Sequence, residues 1–354
     1  MYSTLFHIPS RLGSEPGIPL FGFGLLLVLW AMAAVGSSLW VAFRSGWSDA
    51  VRGLLLPLVI TGAMIVWVLP ALDDGRGIPI RGYGVMLLAA VAAGTWLSIV
   101  RGRRMGFDAD TLLALGTQIF LWGIVGARLF YVIEYHEQFF SAERSLAATV
   151  ADVVNVAAGG LVVFGSLPTA AAAAWWFAYR RKLNLLVLAD CIAPGLLVGL
   201  ALGRVGCFLN GCCYGGECEL PWAVTFPPES PPWFDQVQRG LLPNLSPQQV
   251  GRSLPIHPAQ LYAAIDAGIL AWLAICFTPL ARRDGQVFAL VLSIHPVSRI
   301  LLEMIRVDEP PALGTPFSIS QLISLVLLGT AGILWVVTFR RPPRLSFDSQ
   351  SPAG

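Results

Sequence analysis

The sequence predicts an all-α fold, a polytopic membrane helix bundle of about nine transmembrane helices, and three observations predict it. The 354-residue chain is 56% hydrophobic, with a mean hydropathy of +0.69. Only 12% of its residues are charged, against roughly 25% in soluble domains. Apolar runs recur nine times along the chain, each near the roughly 20 residues that cross hydrocarbon as a helix with every backbone group paired. The net charge of +2, from 23 basic and 21 acidic residues, is too balanced for a nucleic-acid footprint, and no nucleic-acid partner is expected.

The runs fall at 18–43, 53–72, 80–100, 112–135, 155–178, 186–207, 258–278, 285–304 and 317–339. The first has no small-residue cleavage site clearly behind it, so it reads as a spanning helix rather than a removed signal. Between runs, charge alternates. Arg44 and Arg52, then Arg101, Arg103 and Arg104, then Arg180, Arg181 and Lys182, then Arg282 and Arg283, then Arg340, Arg341 and Arg344 occupy every second connection. By the positive-inside rule these are cytoplasmic, which puts the N-terminus outside and the C-terminus inside. The other connections carry Asp73 and Asp74, then Glu134, Glu137 and Glu143, then the long 208–256 segment, then Asp308 and Glu309.

Three domain-level features follow. IPLFGFGLLL at 18–27 resembles IPIRGYGVML at 78–87, so residues 1–77 read as a two-helix extension before a seven-helix body at 78–341. The Pro-, Cys- and Trp-rich 208–256 segment is long for a connection and reads as a folded external cap. Residues 342–354, rich in Pro and Ser, read as a disordered tail.

Charges embedded in apolar helices are costly and mark functional sites. Here they are Arg128, Asp190, Arg204, Asp266, Arg299 and Glu303. Arg204 lies at the outer end of the sixth span with Asn210 just beyond it. Arg299 and Glu303, at i and i+4 of the eighth span, share a helix face. A guanidinium donates two parallel hydrogen bonds to phosphate oxygens, so two arginines at outer ends point to a phosphate headgroup. The plainer alternative is that they snorkel or pair with carboxylates. His257, before Pro258 at a good helix start, puts an imidazole at the interface with Gln260 and Tyr262 nearby. His295 shares a face with Arg299.

Four of the six cysteines, Cys207, Cys212, Cys213 and Cys218, fall within twelve positions. On an oxidising face a bridge from Cys212 or Cys213 to Cys218 is expected. The spacing lacks the paired C-x2-C units of a tetrahedral metal site, so no metal and no cofactor are expected.

Taken together, YGVML at 83, GARLFY at 126, GGLVVFGSL at 159, LADCIAP at 188, GRVGCFLNGCCYG at 203, VTFP at 224, HPAQLY at 257 and SRILLEMIR at 298 resemble the prolipoprotein diacylglyceryl transferases, in that family's order, over residues 78–340. The resemblance implies transfer of the diacylglyceryl group of phosphatidylglycerol to the lipobox cysteine of a prolipoprotein signal peptide, with release of glycerol phosphate, in the bacterial inner membrane with the active site at the outer leaflet. It carries over Tyr83, Arg204, Arg299 and Glu303, with Gly203, Asn210, His257 and Gln260. It also marks departures: Phe164 where many members have a histidine, Cys207 and Cys212 where Asn and Glu are usual, and Ala263 where a Glu is usual.

On this reading Arg204 and Arg299 stabilise the leaving phosphate, with Arg128, Asn210, Gly203, Gln260 and Tyr262 around the substrate. The identity of the base stays open between His257, His295 and the cationic environment itself, which lowers a thiol's pKa. Two other readings compete: a silent relative that binds phospholipid or lipoprotein precursors, and a transporter. Against the second, the embedded charges cluster at outer ends instead of lining a path.

Overall fold

The computed structural model describes residues 4–12, 17–140, 146–155, 159, 160, 162–243, 251–307, 309, 312 and 314–343. The tail from 344, the cap residues 244–250, residues 156–158 and 161 of the fifth expected span, and the loop charges Glu143 and Asp308 lie outside them. Among the described residues, eight helices are long and apolar enough to cross a membrane. The chain divides into two compact units, Met1–Met86 with Leu209–Gly211, and Leu87–Phe208 with Cys212–Gly354.

In the first unit, strand β1 (Thr4–Ile8), β2 (Arg11–Leu12) and β3 (Ile18–Pro19) precede helices α1 (Leu25–Ser45), α2 (Trp47–Ala63) and the short α3 (Leu69–Ala71), joined to α2 by a π-helical turn at Met64–Val68. Strand β4 (Ile78–Arg81) then leads into α4 (Gly82–Arg104). β1 pairs antiparallel with β4, and β2 with β3. The first expected span therefore starts seven residues late: Ile18 and Pro19 are extended, and the helix begins at Leu25. Both look-alike segments open with an extended Ile-Pro pair and then turn helical. Gly77 turns the chain into β4 at φ +118°, and a Cβ there would stand 2.2 Å from the Ile8 carbonyl oxygen; only glycine fits. α1 and α2 are joined by Trp30 Nε1 donating to Thr61 Oγ1 at 2.9 Å, while their other apolar side chains, such as Phe43, Leu56 and Val59, face outward as lipid-facing residues do.

In the second unit α4 continues, followed by α5 (Ala109–Glu134), the short α6 (His136–Phe139) and α7 (Leu146–Val154), α8 (Val163–Arg181), α9 (Leu185–Asn210), α10 (Pro231–Gln238), α11 (Ala259–Phe277), α12 (Gln286–Glu303) and α13 (Ile319–Arg340). Asp108 caps α5 by accepting from the Thr111 amide. The fifth expected span, 155–178, is corrected: Gly159 and Gly160 take φ of +89° and +75°, so the helix cannot start before them and runs from Val163. With Pro168, two tryptophans, a tyrosine and two arginines in it, α8 is not among those eight helices.

Small residues let the helices touch. A Cβ on Gly165 of α8 would stand 2.2 Å from the Gly126 carbonyl oxygen and 2.4 Å from Phe130 Cβ on α5. Gly94 of α4 and Gly195 of α9 meet in the same way. Close backbone approach replaces the hydrophobic drive that lipid cannot supply. Gly165→Val forces α5 and α8 apart; an overpacking cost of about 1–3 kcal/mol is expected, read as a lower melting temperature in detergent.

One core cluster joins α9, α11 and α12 through Ala193, Leu197, Leu270, Ala271, Ala274, Val287 and Val291. A second joins α5, α8 and α9 through Leu112, Leu115, Phe177, Ala178, Leu188 and Cys191. Between the clusters sits Asp190, fully buried. Its carboxylate accepts from the amides of Gly285 at 2.8 Å and Phe288 at 2.9 Å, at the start of α12. A charged residue that reads from sequence as a functional candidate is thus a cap on a helix far along the chain. The segment after α9 packs Tyr214, Phe226 and Ile256 into a small core with Phe208 and Val224.

Candidate active site

Three helices place side chains on one cavity at helical spacing. Leu200 and Arg204 come from α9, Ala259, Ala263 and Asp266 from α11, and His295, Arg299 and Leu302 from α12, with Cys213 and Arg306 closing it. The i, i+4 and i, i+4, i+7 steps put each set on a single helix face. The cavity is about 20 Å³, little more than one water needs, so a larger ligand must part the helices to enter.

The cations in it are held unequally. Arg299, its side chain 15% exposed, forms an ion pair with Glu303, a second with Glu309 at 3.5 Å, and donates to Ser320 Oγ at 2.8 Å. Arg306 reaches Glu303 at 3.5 Å and Glu309 at 3.2 Å. Ser320 in turn donates to Glu309 at 2.7 Å. Its position is fixed by a capping box in which the Ser318 hydroxyl accepts from the Gln321 amide and the Gln321 side chain accepts from the Ser318 amide. Burial alone would raise the Glu309 carboxyl, but hydrogen bonds with Glu303 and Ser320 and the charges of Arg306 and Arg299 outweigh it and hold it below the usual carboxylate range. Asp266 faces His295 Nδ1 at 3.9 Å. Arg204 differs. It is half-buried, lines the same cavity, and among the described residues makes no hydrogen bond and no ion pair. Among the described residues, this guanidinium is thus taken partly out of water with no counter-charge beside it.

A sequence model of prolipoprotein diacylglyceryl transferase matches residues 71–337. The chain belongs to that family. The phosphatidylglycerol–prolipoprotein diacylglyceryl transferase of Rhodopirellula baltica is 27% identical across all of this chain and 92% of that one. Those of Trichormus variabilis, 30% identical over 77% of this chain and 91% of theirs, and Clostridium tetani, 28% over 72% and 92%, are similar in turn.

Of the residues singled out from sequence, this diacylglyceryl transferase family member brings Arg204, Arg299 and His295 to one cavity, with Glu303 buried behind Arg299. Gly203 sits beside Arg204 with nothing within 4 Å of where a Cβ would stand. Gln260, 1% exposed, donates to the Cys212 carbonyl at 2.8 Å and so braces the turn after α9. His257 and Tyr262 pair with each other, Nδ1 to hydroxyl at 3.4 Å, and the hydroxyl accepts from Trp222 at 2.7 Å; neither lines the cavity of the two arginines. Arg128 is committed elsewhere: its guanidinium donates to the carbonyls of Asp152, Val153, Gly159 and Gly160. That clamp ties the chain before α8 to α5. Tyr83 and Asn210 belong to the first compact unit. Phe164 stands at the start of α8, half-buried.

The expected disulfide is corrected. None of the six cysteines is bridged; Cys218 is buried, its sulfur accepting from the Leu220 amide at 3.4 Å, while Cys207, Cys212 and Cys213 face one another. Sequence reading passed over Arg306 and Glu309. The signal for the first was present, three residues after Glu303 in SRILLEMIR, where an i, i+3 pair can form.

Proposed function

We propose that this multi-pass membrane protein transfers the diacylglyceryl group of phosphatidylglycerol to the lipobox cysteine of a prolipoprotein and releases glycerol phosphate. One observation carries the reading: Arg204, without a hydrogen-bond or ion-pair partner among the described residues, shares a cavity with Arg299 at the ends of two apolar helices. The relatives' names supply the two substrates, and the cavity supplies cations where the lipid's phosphate would sit.

The acceptor sulfur attacks the glyceryl carbon bonded to the phosphate oxygen, the S–C bond forms as the C–O bond breaks, and the electron pair leaves with glycerol phosphate. Arg204 takes the phosphate directly. Arg299 adds a second fork, already aimed by Glu303, Glu309 and Ser320, so little reorganisation remains for the reaction. His295, facing Asp266 on the same cavity, is placed to receive a proton. His257, Gly203, Gln260 and Tyr262 are read as shaping the surrounding lipid and peptide path. Arg180, Arg181 and Lys182 lie just before α9 and Arg204 near its far end, which by the positive-inside rule supports reading the cavity as lying toward the outer leaflet of the bacterial inner membrane.

The purified chain in phosphatidylglycerol vesicles, given a lipobox peptide, should release glycerol phosphate and add one diacylglyceryl mass to the peptide cysteine. Binding of the lipid with no release would make the chain a silent relative and overturn the assignment.

A further inference from the structure

Building on that reading, we propose that Cys207, Cys212 and Cys213 hold a thiophilic divalent cation, zinc by their ligand chemistry, and that its fourth coordination position takes the acceptor thiol. The three sulfurs lie within 4.8 Å of one another. Zinc with Zn–S bonds of about 2.3 Å in a tetrahedron sets its sulfurs about 3.8 Å apart, so the cluster has to contract by at most about 1 Å per pair to close on an ion.

The backbone holds these thiols together. Cys207 lies in the last turn of α9, three residues past Arg204 and so on the same side of the helix. The Cys212 amide donates to the Cys207 carbonyl at 3.2 Å, and buried Gln260 grips the Cys212 carbonyl from α11. Cys213 sits at φ +61°, a left-handed conformation that costs any residue but glycine free energy. It lines the cavity of Arg204 and Arg299. A metal on this thiol and a phosphate on those guanidiniums therefore share one space.

Three protein ligands with one open position is the arrangement of catalytic zinc, whereas structural sites close with four. Cys218, the nearest further cysteine in sequence, is buried outside the cluster, and no other His, Cys, Asp or Glu among the described residues joins it, which leaves the fourth position open. Charge agrees: a 2+ ion with three thiolates carries one net negative charge, two with a bound substrate thiolate, beside an arginine that has no carboxylate. The chemistry fits the reaction. A free thiol with a pKa of about 8.5 is only a few per cent thiolate at pH 7, while a metal-bound thiol is deprotonated outright. The acceptor thiol gives its proton to His295, and through it to water, on binding and stays a thiolate. Its sulfur pair then forms the bond to the glyceryl carbon, and the C–O electrons leave on glycerol phosphate. Nothing is oxidised or reduced. The thioether product is neutral, a weaker ligand, and gives way to water or the next thiol.

The test uses the full chain, purified reduced in detergent, stripped by a chelator and titrated with Co²⁺ as the spectroscopic probe. One equivalent should bind with tetrahedral d–d absorption and a sulfur-to-cobalt charge-transfer band. Cys213→Ser should weaken both, and Cys276→Ser, outside the cluster, should change neither; matching melting curves show that the variants fold. A lipobox peptide should shift the cobalt bands, and its serine counterpart should not. Zn²⁺-loaded protein should transfer diacylglyceryl about 10- to 30-fold faster than stripped protein at pH 7, the gap closing as pH rises toward about 8.5. Absence of the cobalt bands, indifference to Cys213→Ser or to the peptide thiol, or full activity of stripped protein overturns the inference and leaves the transferase reading standing. Intact cobalt spectra with no glycerol phosphate released overturn the transferase reading alone.

Discussion

Replacing Arg204 with alanine lowers diacylglyceryl transfer by about 10²–10³-fold, the loss expected when one preorganised donor to a developing negative charge is removed. The magnitude follows from where the side chain stands. Arg299 is already neutralised by Glu303 and Glu309 and tethered to Ser320, so much of its charge is spoken for before lipid arrives. Arg204 has no such partner among the described residues, and its full charge meets the phosphate. Because removing an unpaired cation relieves repulsion rather than breaking a bond, Arg204→Ala should fold with unchanged or slightly raised stability. Arg204→Lys keeps the charge but loses the two-pronged fork, and should recover only part of the rate. Initial-rate assays with phosphatidylglycerol and a lipobox peptide, set beside melting curves, check both halves.

Asp190→Ala has the largest expected effect on stability. The substitution leaves the amides of Gly285 and Phe288 without their acceptor inside the protein. Each lost acceptor costs about 1–3 kcal/mol, so about 2–6 kcal/mol in total is expected for the two amides. Arg101 packs on the same point, donating to the carbonyls of Asp190 and Cys191 and to Thr278, which couples the start of α12 to α4, α9 and the end of α11. Asp190→Asn keeps one acceptor oxygen and should lose less. Melting of the three proteins in one detergent gives the order wild type, Asn, Ala; equal melting points would remove the cap from the account.

The bundle was legible because hydrocarbon imposes it: runs of about 20 apolar residues must be helices, and what escaped was their ends and, among the described residues, the fifth expected span, where α8 is not one of the eight membrane-length apolar helices. Those ends depended on details that hydropathy does not carry, such as the positive φ of Gly159 and Gly160 that delays α8 and the pairing of Thr4–Ile8 with Ile78–Arg81 before α4. In the candidate site, Arg299, Glu303 and His295 could be seen as one face because four-residue steps align on a helix. Arg306 carries the same kind of signal, an i, i+3 step from Glu303, whereas Glu309 follows the helix end and joins the cluster through Ser320 of α13, a contact that no local spacing encodes. Asp190 misled for the opposite reason: a buried carboxylate looks the same in sequence whether it serves a ligand or caps a helix 95 residues away. The cysteines misled too. Their spacing fits no familiar metal pattern, and it is the end of α9 followed by the left-handed turn at Cys213 that folds three of them together.

The claim on which the account rests is that two guanidiniums from different helices share one lipid phosphate. An experimental structure of the chain in phosphatidylglycerol nanodiscs tests it most directly. A single phosphate should bridge Arg204 and Arg299, with its glyceryl carbon turned toward Cys213. A headgroup bound to one arginine alone, or seated outside the cavity, would contradict it.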